Sequence, residues 1–451
     1  MDASVERIAD YVHRLRFEDL PPQVVRHCQR CLIDAVGVAF GGYDAEPCVI
    51  ARNMAQRAVV KDGARVFGSG HRTLPELAAF ANGVMIRYLD GNDSYLGGGG
   101  HPSDTMSAIL SVADVNRSSG RDIITAIAAA YEVYHNFWKT ARARHKGVDN
   151  VFYVTLGSAV GAAKILGLDR KGIAEAVSLV LTPNVPLDST RYGLLSMWKG
   201  CAAGNAARNG VFAALLAQRG MTGPEKPIEG DHGLHKLLGK FELLPFGGAE
   251  HPFGIHHVTL KCFLAVAHAL SPITAALELS RQVAVEDIEK VTLYTYKFAW
   301  EVTGREREKW RPTTREAADH SLPYIVAAVL VEGMFSDSLF AEEKLSDPRI
   351  LRVLDKVDVQ EDPEITRAFT DKVPCRIELV TRSGERKIAT TDYPRGHYEN
   401  PMSDEEVGAK FRAMAKRALP AQKVEQALDA LWRLDAAPDL NAIFDAVTFH
   451  G

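Results

Sequence analysis

Apolar positions recur at helical spacing through most of the chain. RDIITAIAAAYEVYHNFW (121–138), YVTLGSAVGAAKILGL (153–168), GIAEAVSLVLT (172–182) and GNAARNGVFAALLAQRG (204–220) carry it most clearly. Their density of Ala and Gly lets helices approach closely, as in a large bundle core. Asp169-Arg170 and Gly220 read as helix boundaries, and the first 280 or so residues read as helical throughout. The pattern changes near Val283. DIEKVTLYTYKFAWEV (287–302) has the β-branched and aromatic enrichment of a strand, and CRIELVTRSGERKIATTDYP (375–394) reads as a hairpin turning at Ser383-Gly384. HSLPYIVAAVLVEGMF (320–335) reads as a buried helix between them. From Ser403, paired with Glu406 in a capping box, helical spacing returns. The expected architecture is mainly α: a large helical domain from residues 1–264 and 401–451, and a smaller α+β domain over 265–400.

Composition narrows the function. The 451 residues are 46% hydrophobic and 24% charged, with 53 Lys+Arg against 57 Asp+Glu, a formal net charge of −4. That balance argues against a nucleic-acid binder, which shows a basic excess or stripe. No run approaches the ~18 uninterrupted apolar residues of a membrane span, and MDASVERIADYVHRL has no apolar h-region of a signal peptide. Six scattered cysteines do not form a disulfide framework, and Cys28-x-x-Cys31 lies within VVRHCQRCLIDAVGVAF, where helical spacing favours a core role over a redox or zinc motif. The expectation is a reduced, cytoplasmic protein with no nucleic-acid or membrane partner. An anionic ligand would have to meet locally gathered positive charge.

Four segments carry candidate chemistry. RYLDGNDSYLGGGGHPSD (87–104) sets Asp90, Asn92, Asp93 and Ser94 before a glycine tract and His101. Such a tract permits positive φ and close backbone approach, but a plain surface turn accounts for these residue types equally well. RYGLLSMWKGCAAGNAARNG (191–210) holds Lys199 among aromatic and small residues, with Arg191 upstream. A lysine there either snorkels to solvent or is held as a cation for a carboxylate. GIHHVTLKCFLAVAHAL (254–270) contributes His256, His257, Lys261 and His268, without the spacing of a metal site. In ADHSLPYIVAA, His320 and Tyr324 are four apart, which on a helix puts both on one face. Dinucleotide, P-loop and nucleophile-elbow fingerprints are missing. The residues alone lead no further than an enzyme-like protein whose site gathers His, Lys, Asp and Tyr.

Seven segments in order resemble the MmgE/PrpD family: LPPQVVRHCQRCLIDAVGVAFGG, FANGVMIRYLDGNDS, GHPSD, SMWKGCAAGNAARNGVFAALLA, DIEKVTLYTYKFAW, DHSLPYIVAAVLVEG and YPRGHYENPMSDEEVGAKF. The resemblance covers essentially the whole chain. It implies a large helical domain with a smaller α+β domain, a homodimer, and a cluster-free enzyme that needs no metal or cofactor and acts on a small carboxylate. The family includes 2-methylcitrate dehydratases, cis-aconitate decarboxylases and an iminodisuccinate epimerase; the LD-x-ND segment and the extended loop before HPSD look most like the first branch. By position, Asp90 and Ser94 match the site loop, His101 the acid/base histidine and Lys199 a buried cation. Lys261, His320 and Tyr324 match site positions nearer the second domain, and Arg191, Asn150 and His268 complete the substrate-contacting set. There are two departures: Asn150 stands where many members have histidine, and Gly91 where an aromatic is usual.

The shared chemistry makes or breaks a bond at a carbon α to a carboxylate, through a dianion that needs fixed positive charge in a site with little water. The expected activity is dehydration of a 2-methylcitrate-like tricarboxylate. In that scheme Lys199, Lys261 and Arg191 neutralise carboxylates, and His101, oriented by Asp90, moves the proton. Tyr324 and His320 serve the leaving hydroxyl. The alternatives are an epimerase or decarboxylase of a related polycarboxylate or iminodicarboxylate, and a non-catalytic carboxylate binder.

Overall fold

The computed structural model describes residues 1–193, 195–370 and 372–449. The chain divides into two compact units, one of Met1–Thr190, Gly200–Val258 and Ser403–Gly451, the other of Arg191–Lys199 and Thr259–Met402.

The first unit is helical. Its principal helices are α1 (Ala3–Arg14), α2 (Pro22–Gly41), α3 (Glu46–Ala55), α4 (Pro75–Tyr88), α5 (Met106–Asn116), α6 (Gly120–Ala141), α7 (Val151–Ile165), α8 (Arg170–Leu181) and most of α9 (Trp198–Gln218). Caps set their starts: Asp2 accepts from Val5 N, Asp169 from Gly172 N, and Ser119 and Asp122 form a capping box. Apolar spacing sets their faces, as in α1, where Val5, Ile8, Ala9 and Val12 are buried. Close approach explains the small residues. A Cβ on Gly204 of α9 would stand 2.6 Å from Phe80 O of α4, so the two backbones meet where no side chain fits. Cys28 and Cys31 are buried and unbonded on α2, and burial pushes both thiols up, which leaves them packing residues. The C-terminal helix Asp404–Ala415, opened by the Ser403–Glu406 capping box, packs on α2, with Phe411 touching Gly37. A two-stranded ribbon, β1 (Ala64–Arg65) with β2 (Arg72–Thr73), completes the unit.

Helical reading through residue 280 overreached. Between Gln218 and Leu270 the chain forms only the short helix Leu234–Leu238 and two 3-10 turns. Pro224, Pro227, Pro245 and Pro252, with eight glycines among residues 220–254, deny it helical continuity. Helix side chains hold this segment by its backbone instead: Asp2 accepts from Ile228 N and Glu229 N, Asn136 bonds both polar groups of Leu244, and Glu132 accepts from Gly247 N and Gly254 N.

The second unit is built on a four-stranded sheet of order β4-β3-β5-β6, with β3 Ile288–Thr295, β4 Val357–Glu361, β5 Cys375–Thr381 and β6 Arg386–Thr391. β3 pairs parallel with β4 and antiparallel with β5; Val291 faces Val357 on one side and Leu379 on the other. In β5, Cys375, Ile377, Leu379 and Thr381 alternate as the buried face. The β5–β6 hairpin turns with Gly384 at φ +84°. Helix Leu270–Ser280 packs on β5 and β6, and helix Leu322–Glu332 packs on that helix. Among the described residues no helix is long and apolar enough to cross a membrane.

Candidate active site

The glycine tract of the first unit is a buried, tied loop. α4 ends at Tyr88, and Asp90 turns the chain with φ +53°, a left-handed conformation that Asp tolerates better than most residues. Its carboxylate lies 2.9 Å from Arg87 Nη1 and 3.1 Å from His101 Nε2, and Arg87 Nε is 3.6 Å from Asp104. Asn92 donates to Ser103 Oγ and Asp104 Oδ1, while Asp93 accepts from Ser103 N and Tyr131 OH. Across the tract, Tyr95 N donates to Gly100 O, Ser94 Oγ to the same oxygen and Tyr134 OH to Gly99 O. Asp90 is 1% exposed and His101 6%. The surface-turn alternative therefore fails: this is a rigid polar loop in a core.

Burial governs its electrostatics. Desolvation raises the Asp93 carboxyl to about 6 against the hydrogen bonds from Ser103 and Tyr131, with Asp34 adding to the rise. Behind the loop, desolvation raises Glu132 to about 7 even though it accepts two amides. A carboxylate only accepts hydrogen bonds, so the His101–Asp90 contact assigns the proton to Nε2 and leaves Nδ1 as the basic nitrogen. Asn150 lies beside Gly100: a Cβ there would stand 2.6 Å from Asn150 Nδ2, and φ at Gly100 is +69°. Only glycine fits one residue before His101.

The second unit gathers positive charge around one carboxylate. Asp319 is fully buried, with Lys199 Nζ 3.0 Å away, Arg315 Nη1 3.5 Å away and His320 Nδ1 in contact. Desolvation pulls its pKa up, but Lys199, His320 and Arg315 outweigh that and hold it below the usual carboxylate range. Lys199 is 1% exposed and does not snorkel. Arg191 reinforces the start of α9 by donating to Lys199 O at 2.9 Å. Lys309 also lies near Asp319 and Lys199, its pKa lowered by desolvation. One carboxylate faces several cationic groups, and Arg315 and His320 retain 20% and 13% side-chain exposure. Such a cluster can accept a further anion.

The remaining expected residues are placed as follows. Ser94 closes the glycine loop. Lys261 is fully buried and donates to Ala265 O at 3.1 Å. His268 Nδ1 contacts Tyr296 OH within the sheet unit. His320 and Tyr324 do not share a helix face. Ser321 caps the helix, which begins at Leu322, so His320 lies in the preceding turn. Tyr324 is fully buried and donates to Leu339 O at 2.7 Å. Sequence reasoning missed Arg87, Asp104, Asp319 and Arg315. Arg87 and Asp90 stand three apart at a helix end, and Asp319 directly precedes His320, signals that were present but undervalued.

Comparison with known proteins agrees in both halves. The MmgE/PrpD N-terminal domain profile matches residues 6–243 and the C-terminal domain profile residues 263–434. A 2-methylcitrate dehydratase of Salmonella typhimurium is 28% identical over 95% of this chain and 93% of its own length. The mitochondrial 2-methylcitrate dehydratase of Yarrowia lipolytica is 27% identical over 95% of this chain and 87% of its own. The cis-aconitate decarboxylase of Homo sapiens is 26% identical over 97% and 93%. Matched along nearly its whole length, from the helical unit through the sheet to the C-terminal helices, the chain belongs to the MmgE/PrpD family.

Proposed function

We propose that this protein is a lyase that dehydrates a 2-methylcitrate-like tricarboxylate. The observation that carries the reading is the buried Asp90–His101 pair, with Arg87 on the same carboxylate. A histidine whose Nε2–H is held by a carboxylate keeps a fixed tautomer, and its Nδ1 is the proton carrier. In the reaction, His101 takes the proton α to a carboxylate, and the electron pair moves into that carboxylate to give a dianion. Expulsion of the β-hydroxyl, protonated to water, then forms the double bond. The dianion needs fixed positive charge, a role that suits Lys199 and Arg315. His320, which keeps partial exposure beside Asp319, suits donation to the leaving hydroxyl. Sequence similarity to methylcitrate dehydratases supports the substrate class. The same reading takes the working assembly as a cytoplasmic homodimer, which light scattering would test.

The test is proton NMR of the purified protein with 2-methylcitrate in D₂O containing EDTA. Loss of substrate with the appearance of methylaconitate signals is the expected result. Deuterium entering an α position without conversion would keep the base and discard the substrate, and the search would move to epimerisable or decarboxylated relatives. Silence in both would overturn the reading.

A further inference from the structure

We propose that Lys410 is a positioning residue for the Asp90–His101 pair, acting through the backbone of the turn that carries Asp90; the inference rests on the functional reading of that pair. Lys410 projects from the C-terminal helix Asp404–Ala415. Its Nζ lies 2.6 Å from Gly91 O and 2.6 Å from Asp34 Oδ1 on α2, with the two side chains only 10% and 2% exposed. Phe411, next in sequence, rests on Gly37 of α2 one turn from Asp34, so packing fixes how deeply the ammonium reaches.

A buried ammonium has three N–H donors to satisfy, and where it directs them decides what it holds: one goes to Asp34 and another to Gly91 O. The second is a charge-assisted bond, stronger than a neutral one, at the carbonyl directly after the left-handed Asp90. That is where the turn is weakest, because Gly91 has no side chain to limit its backbone. A bond to a carbonyl constrains the turn whatever the side chain at 91. Arg87 holds Asp90 and Asp104 by their carboxylates, whereas Lys410 holds the main chain between Asp90 and Asn92. The bond to Gly91 O acts on the main chain of the turn, so the effect of the lysine is on the placement of Asp90 and His101. Misplacement of about 1 Å costs as much as 10²-fold in rate.

The experiment compares wild type, Lys410→Met, Lys410→Arg and Asp34→Asn. Steady-state kinetics with 2-methylcitrate are paired with amide hydrogen exchange over residues 89–104, where the Asp90, Tyr95, Ser103 and Asp104 amides are bonded. Lys410→Met is expected to lower kcat about 10- to 100-fold with KM within about threefold. Exchange over 89–104 should rise at least about tenfold while α7 stays protected, since local opening is graded by local contacts. Lys410→Arg should restore both. If Lys410→Met does not fold, Asp34→Asn, which loosens the lysine while leaving it charged, should give the same pattern in smaller measure. Unchanged exchange over 89–104 in a folded variant would overturn the proposal, as would raised exchange with unchanged kcat. Exchange needs no substrate, so a failure of the methylcitrate assignment shows separately, as an inactive wild type.

Discussion

Replacing Lys199 by methionine keeps the unbranched apolar stem of the side chain and removes the ammonium 3.0 Å from a fully buried carboxylate. At an effective dielectric of 20 that contact represents about 5.5 kcal/mol of Coulomb energy. Methionine escapes the desolvation penalty of the lysine, and Arg315 at 3.5 Å and His320 remain on Asp319. The net cost at pH 7 is therefore placed at about 3 kcal/mol, the lower end for breaking a buried pair. Asp319→Asn strands the opposite charge and should cost a similar amount, while the double variant should cost less than the sum by ~2 kcal/mol. pH supplies a second readout. The folded carboxyl is held below its ordinary value, so its stabilisation is present above the unfolded pKa near 3.9 and fades as pH falls toward the folded one. Between pH 5 and 3 the gap between wild type and Lys199→Met should narrow by about 1 kcal/mol. Urea unfolding followed by tryptophan fluorescence is the assay, since Trp300 and Trp310 lie in the same unit. A coupling under about 0.5 kcal/mol at pH 7 would mean the two sites behave independently, and the argument from a buried pair would fail.

Three further perturbations test the rest of the site. His101→Ala should lower kcat ~10²-fold or more, whereas a loss under about threefold would remove His101 as proton carrier. Gly100→Ala must accept both positive φ and the Asn150 amide, and should cost about 1–3 kcal/mol in thermal unfolding together with much of the activity; wild-type stability would show that the loop adapts. Glu132 has a folded pKa raised to about 7, so its contribution is fully present below the unfolded value near 4.3 and lost as pH rises through 7. Across pH 5–7 wild-type stability should therefore lose ground relative to Glu132→Gln, in which Asp93 still titrates, and parallel profiles would contradict the assignment.

Local features were well marked in the sequence. The Asp169 cap, the Ser403–Glu406 box, the alternation of CRIELVT and the turn at Ser383-Gly384 each depend on neighbours within a few residues, and each formed where expected. Asp319 was missed because its meaning comes from Lys199, 120 positions earlier. The shared helix face of His320 and Tyr324 was misread because a single cap at Ser321 moved the helix start past His320. The span after Gln218 was misread because its order comes from side chains on distant helices, not from its own periodicity. Resemblance singled out Lys199 and His101 as candidates, and the fold shows what holds them: Asp319 and Asp90.

The packing of α2 against the helix Asp404–Ala415 has a consequence for biosynthesis. α2 leaves the ribosome among the first helices, yet the partner that covers Gly37 and takes up Asp34 is translated several hundred residues later. At ordinary elongation rates that interval is tens of seconds. Through it, the face of α2 around Gly37 lacks the Phe411 side chain that packs on it, and exposed apolar surface of that kind is what holding chaperones bind. A stop codon anywhere before Ser403 would make that exposure permanent, and such truncated chains should be cleared by proteolysis rather than accumulate as inactive enzyme.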